Sequence, residues 1–273
     1  MPNDFEKNKR NDGKMELKNS LREKMVAGEK TLGTFHELGS AAAVELLAYH
    51  GMDYIIIDAE HGPHDVESSA NLIRAAKLAG TTPLVRTKDG ERNSILKMLD
   101  VGAMGLVIPN IQTVEEVEKV IEYGKYYPVG NRGVAPAGGS HFWTQDYAKQ
   151  GLPHLFELAN REQLIIPQCE TVGALENIEE IVALDGVDGI FVGPFDLSTA
   201  LGKPGQIDDP EVKEAIQRVA DACKAAGKFS FIYGTNVENS KQRFEEGYQS
   251  VTMTMDALIF GEAVKNVVNE IVG

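Results

Sequence analysis

The chain is poor in several features that mark large protein classes. It has only two cysteines in 273 residues. Cys169 and Cys223 form no CxxC pair, so disulfide staples and thiolate-ligated zinc are not expected, and a reduced, cytoplasmic setting is. Positive charge is also scarce: 27 Lys and Arg stand against 41 Asp and Glu, for a net charge of −14. No Lys/Arg stripe interleaved with aromatics offsets this locally, so nucleic acid is not an expected partner. No segment approaches the roughly 18 consecutive apolar residues that span a bilayer, so no membrane association is expected. The first residues, MPNDFEKNKRNDGKMEL, lack the apolar core of a signal peptide. Tryptophan occurs once, as Trp143.

What the chain does contain is a regular alternation. Apolar residues make up 42% of it, enough to close a sizeable core, and α/β barrels of about 250 residues commonly form one domain. Residues 1–14 read as a flexible polar tail and 15–273 as a single domain. Short β-rich runs fall at Leu32–Glu37, Tyr54–Ala59, Pro83–Thr87, Gly105–Asn110, Ile165–Thr171, Gly189–Leu197, Phe229–Gly234 and Ser250–Met255. Helical stretches separate them near 40–50, 66–79, 92–101, 113–125, 172–184, 210–226 and 237–246, and a last helix covers about 257–271. Ser40 and Asp209 suit helix N-caps, and Gly51, Gly80, Gly227 and Gly247 suit C-terminal caps. Parallel strands joined by crossover helices follow, predicting an α/β fold of the TIM (β/α)8 barrel type. An open doubly wound sheet is the alternative, because a strand count does not prove closure. An extra helix near 16–28 is placed to cover the barrel bottom. Residues 128–164, between strands four and five, exceed an ordinary loop and hold Arg132, His141 and Trp143, either as substrate contacts or as loop packing.

In such barrels the active site forms at the carboxyl ends of the strands. Strand two ends Asp58-Ala59-Glu60-His61, strand three in Arg86, strand five in Gln168-Cys169-Glu170, and strand six in Gly193-Pro194-Phe195-Asp196. Glu170 and Asp196, on adjacent strands, suit two ligands of a hard divalent cation that completes its shell with water and substrate oxygens. A glycosidase-like acid pair is weaker, because it leaves Arg86 and His61 without a task. Arg86 needs an anionic partner. A substrate carboxylate or enolate oxygen is one candidate, and a structural ion pair with Asp58 or Glu60 is the other. His61 is either an acid/base or a capping or core histidine.

The strings DAEHGPHD, PLVR, LKMLDVGAMGLVIPNIQT, NRGV, QCET and VDGIFVGPFDLS resemble the HpcH/HpaI aldolase family from about residue 16 to the C-terminus. The resemblance implies a class II pyruvate-type aldolase that cleaves 4-hydroxy-2-oxo acids to pyruvate and an aldehyde with a divalent metal, Mg²⁺, Mn²⁺ or Co²⁺. It implies Glu170 and Asp196 as metal ligands with Gln168 beside them, and Arg86 on the 2-oxo group and enolate. His61 takes the acid/base position and Asp100 that of its paired carboxylate, while main-chain N–H groups around Phe195 and Asp196 hold the pyruvate carboxylate. It also suggests a hexamer, a trimer of dimers, in which neighbours exchange the last helix. That helix carries an apolar band too broad for solvent, from Leu258 to Val272. Two departures stand out. His36 and Glu37 end the first strand where less charged residues are expected, and Phe195 replaces a small residue, so the physiological aldehyde is open. Related lyases act on CoA esters or, as decarboxylases, on oxaloacetate. A non-enzymatic sensor of 2-oxo acids would have no use for a proton acceptor.

Overall fold

The computed structural model describes residues 17–273, so the expected tail lies outside the described residues. Eight parallel strands close into a barrel in sequence order: β1 (Thr31–His36), β2 (Tyr54–Asp58), β3 (Thr82–Arg86), β4 (Gly105–Ile108), β5 (Leu164–Cys169), β6 (Gly189–Val192), β7 (Phe229–Gly234) and β8 (Ser250–Met255). Closure through the β8–β1 pairing excludes the open sheet. The strands read as nearly continuous apolar runs because both faces are covered; all five residues of β2 are buried.

Helices α2 (Ala41–Tyr49), α3 (Val66–Ala79), α4 (Arg92–Val101) and α5 (Val114–Gly124) follow the first four strands. The caps are those the sequence offers. Ser40 accepts from the Ala43 N–H, Thr113 and Glu116 form a reciprocal capping box, and Gly80 closes α3 in the left-handed conformation. The segment after α5 is not an open loop. It contains a 3-10 turn (Gly138–Trp143), α6 (Asp146–Lys149) and α7 (Leu152–Glu162). Trp143 packs there against a satellite cluster of Met104, Tyr126, Tyr147 and Leu155, beside the start of β4. The loop-packing reading of Trp143 is therefore the right one.

Beyond β5 come α8 (Val172–Glu176) and α9 (Ile178–Ala183), in place of the single helix expected over 172–184. After β6 come α10 (Pro194–Ala200) and α11 (Pro210–Ala226), and after β7 and β8 come α12 (Val237–Glu245) and α13 (Asp256–Val272). The sixth strand stops at Val192 rather than Leu197. Pro194 has no N–H for the ladder and a φ suited to a first helical turn, so the chain turns into α10 at Gly193.

Two apolar layers hold the barrel. The outer one lies between strands and helices and includes Ile55, Ile57, Val85, Leu99, Ile165, Val192 and Ile216. The inner one fills the lumen with Tyr54, Ile56, Leu84, Val107, Ile166, Phe191 and Phe231. Burying each such side chain contributes about 1.5–3 kcal/mol. Tyr54 spans the lumen, bonding Thr252 Oγ1 at 2.7 Å and accepting from Ser250 Oγ at 2.9 Å. A Cβ at position 33 would come within 2.4 Å of its ring, which is why β1 carries Gly33. The extra helix α1 (Ser20–Val26) plugs the amino end of the barrel with buried Leu21 and Met25, as expected.

Candidate active site

At the carboxyl end of the barrel, register sets the first contact. Asp58 of β2 pairs with Arg86 of β3. Alternation along each strand turns both side chains into the mouth. Arg86 Nε donates to Asp58 Oδ1 at 2.9 Å and Nη2 to Oδ2, while Nη1 lies 3.1 Å from Glu60 Oε2. Its guanidinium carbon stands 4.7 Å from the Phe35 ring centroid. The ion pairs foreseen as the structural reading of Arg86 thus exist. They leave the fork at the mouth, 11% exposed.

Asp58 also organises the turn after β2, accepting from the Glu60 and His61 N–H groups at 3.0 and 3.3 Å. Burial opposes its charge, but Arg86 outweighs burial and holds the carboxyl below its ordinary range. Glu37, at the end of β1, is the counterpart. Burial, followed by its hydrogen bond to Asp58, pushes it up to about 7, so as pH falls Glu37 takes up a proton before Asp58 does. Glu60 is raised by burial despite Arg86.

Across the mouth, the chain leaves β4 through Asn110 at φ 55° and aims its N–H at Glu170 Oε1, 2.7 Å away. Gln168 Nε2 donates to Glu170 Oε2 at 2.6 Å, which leaves the buried Gln168 Oε1 without a partner. Burial and then the nearby charge of Asp196 raise Glu170 to about 7, although the Asn110 N–H works against them. A Cβ at Gly193 would stand 2.8 Å from Glu170 Oε2 and would push that carboxylate from its place. Asp196 sits in the first turn of α10, exposed, not at a strand end as expected.

Among the described residues no group of three or more His, Cys, Asp or Glu is arranged to hold a metal. Two mutually repelling carboxylates, one of them buried beside an unpartnered amide oxygen, nevertheless fit a hard divalent cation that takes most of its shell from water and substrate. No His or Cys competes to make the site one for zinc.

The remaining expected residues are not all gathered here. His61 is 73% exposed, and its Nε2 lies 3.9 Å from Glu60 Oε2, so it is neither a cap nor a core histidine. The buried histidines are His36 and His64, stacked with centroids 5.8 Å apart. Asp100 is in the last turn of α4, at the opposite end of the barrel, where Arg132 Nη2 binds it at 2.9 Å. A cavity of about 1030 Å³ opens beside it on the flank, lined also by Lys77, His141 and Phe142. No His61–Asp100 pair forms within one chain. Arg132 itself is buried, also bonding Gln163 Oε1 at 2.6 Å, and so has a structural task.

Sequence reasoning missed Phe35, Tyr233, Asn110 and Asp256. Phe35 and Tyr233 occupy inward positions at the tops of β1 and β7, with centroids 6.2 Å apart, and Phe195 stands edge-on to Tyr233 at 6.1 Å. Strand alternation could have found both. Asp256 begins α13 and binds His36 Nδ1 at 2.7 Å and the Glu37 N–H at 2.8 Å, both across the β8–β1 closure. No short motif announces that contact.

A closed barrel with a strand-end arginine near two cation-competent carboxylates suits chemistry on an anionic substrate, and comparison with known proteins gives its class. Residues 31–263 match the HpcH/HpaI aldolase/citrate lyase family, and the chain belongs to that family. It is accordingly an enzyme, a carbon–carbon lyase of the aldolase class. The chain is 31% identical over 250 residues to the 4-hydroxy-2-oxo-heptane-1,7-dioate aldolase of Shigella flexneri, covering 91% of each chain. It is 32% identical over 247 residues to the 5-keto-4-deoxy-D-glucarate aldolase of Enterobacter sp. (strain 638), covering 90% of this chain and 94% of that one. Among solved structures, a family member from Burkholderia cenocepacia J2315 superposes with a TM-score of 0.85 at 31% identity, over 93% of this chain and all of the other.

Proposed function

We propose that the protein is a divalent-metal-dependent aldolase that cleaves 4-hydroxy-2-oxo acids to pyruvate and an aldehyde. The observation that carries this reading is the opposition, across one mouth, of the Glu170–Asp196 pair and the Arg86 fork. Glu170 and Asp196 would hold the ion, which supplies a Lewis acid to the 2-oxo group. Arg86 stabilises negative charge as it develops on that oxygen, and Asp58 and Glu60 fix its fork in place. The N–H groups of Phe195 and Asp196, which have no intrahelical acceptor in the first turn of α10, receive the pyruvate carboxylate. Gln168 orients Glu170 and offers its free Oε1 to the substrate side.

His61 takes the proton of the 4-hydroxyl, and its exposed ring stands 3.9 Å from Glu60, the carboxylate that also holds Arg86. Asp100 can pair with such a ring only from a second copy of the chain. Self-association is supported by α13, whose Leu258, Phe260, Val264, Val267, Val268, Ile271 and Val272 are all exposed, with Asp256 the one buried residue. A homo-oligomer that covers this helix, a hexamer with exchanged α13 helices, is the proposed assembly. No helix among the described residues is long and apolar enough to cross a membrane.

The test is exchange of pyruvate methyl protons in D₂O with Mg²⁺, Mn²⁺ or Co²⁺. Exchange that requires the metal and Arg86 is expected. Metal-independent exchange, or none with any of the three ions, overturns the reading.

A further inference from the structure

The mouth is divided chemically. Arg86, Gln168, Glu170 and Asp196 come from β3, β5 and the turn after β6, so under the proposed function the pyruvate half of the substrate lies over that side. The remaining carbon chain must then extend over β7, β8 and β1. The floor there is apolar: Phe35, Tyr233 and Met255 close the top of the inner core. Phe195 rises from the rim edge-on to Tyr233 with 43% of its surface exposed, which leaves a large part of its face open.

Charge on this side has one sign. Glu37 follows β1 two residues after Phe35, with Asp58 in contact and Asp256 holding its N–H. The segments that leave β1, β2 and β7, residues 37–40, 59–65 and 235–236, contain no lysine or arginine, and β8 passes directly into Asp256. Lys203, in the loop beyond α10, is engaged by Asp209 and Glu211, each at 2.6 Å. Among the described residues Arg86 is the arginine at the strand ends of the mouth, and the 2-oxo group claims it.

We propose that the acceptor half of this site takes an uncharged aldehyde bearing a flat apolar group, an aryl aldehyde in the simplest case, and rejects an aldehyde that ends in a carboxylate. A second carboxylate laid over Phe35 and Tyr233 would leave water for an apolar floor edged by the Glu37 carboxyl, with no lysine or arginine in the segments that leave β1, β2 and β7 to receive it, and burying a charge without a partner is costly. An aromatic ring instead gains edge or offset contacts with Phe195 and Tyr233. Phe195, Tyr233 and Glu37 are thereby assigned as specificity-determining residues. The inference rests on the aldolase reading of the same mouth.

The experiment compares kcat/KM for cleavage of 4-hydroxy-2-oxo-4-phenylbutanoate and 4-hydroxy-2-oxoheptanedioate by the full chain with Mn²⁺, beside pyruvate exchange in D₂O. We expect the phenyl substrate to be preferred by about tenfold or more. Read at pH 8.5, above the value of about 7 to which Glu37 is raised, Glu37→Gln should shift the ratio toward the dioate, and Phe195→Ala should lower it by weakening the phenyl substrate. Each variant is read as a ratio of its own two rates, so a general loss of activity does not mimic the effect. Pyruvate exchange with equal or better cleavage of the dioate overturns the acceptor assignment and leaves the aldolase reading standing. A ratio that neither variant moves also overturns it. Absence of exchange removes the aldolase reading and this inference with it.

Discussion

Glu170→Gln in the metal-free protein separates the electrostatics of the site from its chemistry. Glu170 is buried and raised from 4.5 to about 7, chiefly by burial. A carboxyl raised on folding contributes stability that is fully present below the unfolded value of 4.5 and is lost as pH climbs through about 7. The gap corresponds to an upper bound of about 3 kcal/mol, because each pH unit is worth about 1.36 kcal/mol. Gln is neutral at every pH and does not suffer this loss. It can still accept from the Asn110 N–H, and turning the Gln168 amide over lets the unpartnered Oε1 accept from the new amide. The raised Glu37 is common to both proteins and cancels in the difference.

The variant should therefore match the wild type near pH 4.5 and exceed it at pH 8.5 by up to about 3 kcal/mol. The assay is urea unfolding with a chelator at both pH values and one fixed protein concentration. Added Mn²⁺ should then stabilise the wild type at pH 8.5 and leave the variant unmoved. A variant less stable than the wild type at pH 8.5, or a difference that does not change with pH, would refute the assignment of a buried, cation-seeking carboxylate.

Other consequences are open to direct measurement. Arg86→Lys should lose nearly as much kcat as Arg86→Ala, because a point charge cannot reproduce a fork held by Asp58 and Glu60; near wild-type kcat for Arg86→Lys would leave only the structural ion pair. His61→Ala should slow cleavage of a 4-hydroxy-2-oxo acid by roughly 10²–10⁴ while calorimetric metal affinity stays unchanged, and cleavage at the wild-type rate would show that another group is the base. Asp100→Asn should reduce cleavage more mildly, and mixing it with His61→Ala should restore some activity if the two side chains meet between copies. Replacing Phe260 and Val267 with Glu should lower the mass seen by light scattering at micromolar concentration, whereas an unchanged mass would mean that α13 covers no neighbour.

The barrel was legible because each strand announces itself: YIIID and LIIPQC are apolar on both faces, and the intervening segments carry helical period and caps. Six residues at or just beyond the strand ends, Arg86, Gln168, Glu170, Phe195, Asp196 and His61, could be picked out as a set because the fold sends strand termini to one end. What was not legible has physical causes. Pro194 ended β6 early and moved Asp196 onto a helix, which a run of apolar letters hid. Asp100 takes its role from the motif alone: the rise of α4 carries it to the far end of the barrel, so it does not meet His61 within one chain. Glu37, His36 and Asp256 meet only across the closure of β8 on β1, a contact between residues more than two hundred positions apart that no window on the sequence spans.

That last contact has a practical consequence. One carboxylate, Asp256, starts the helix proposed to join neighbouring copies, and it also fixes the backbone of Glu37, which stands in the mouth. Geneticists who change residue 256 to dissociate the protein would disturb the catalytic end at the same stroke, and a lost activity would be misread as proof that assembly is needed for turnover. Substitutions from the third turn of α13 onward leave this joint intact, and they are the ones that can tell an enzyme that needs its neighbours from one that merely keeps them.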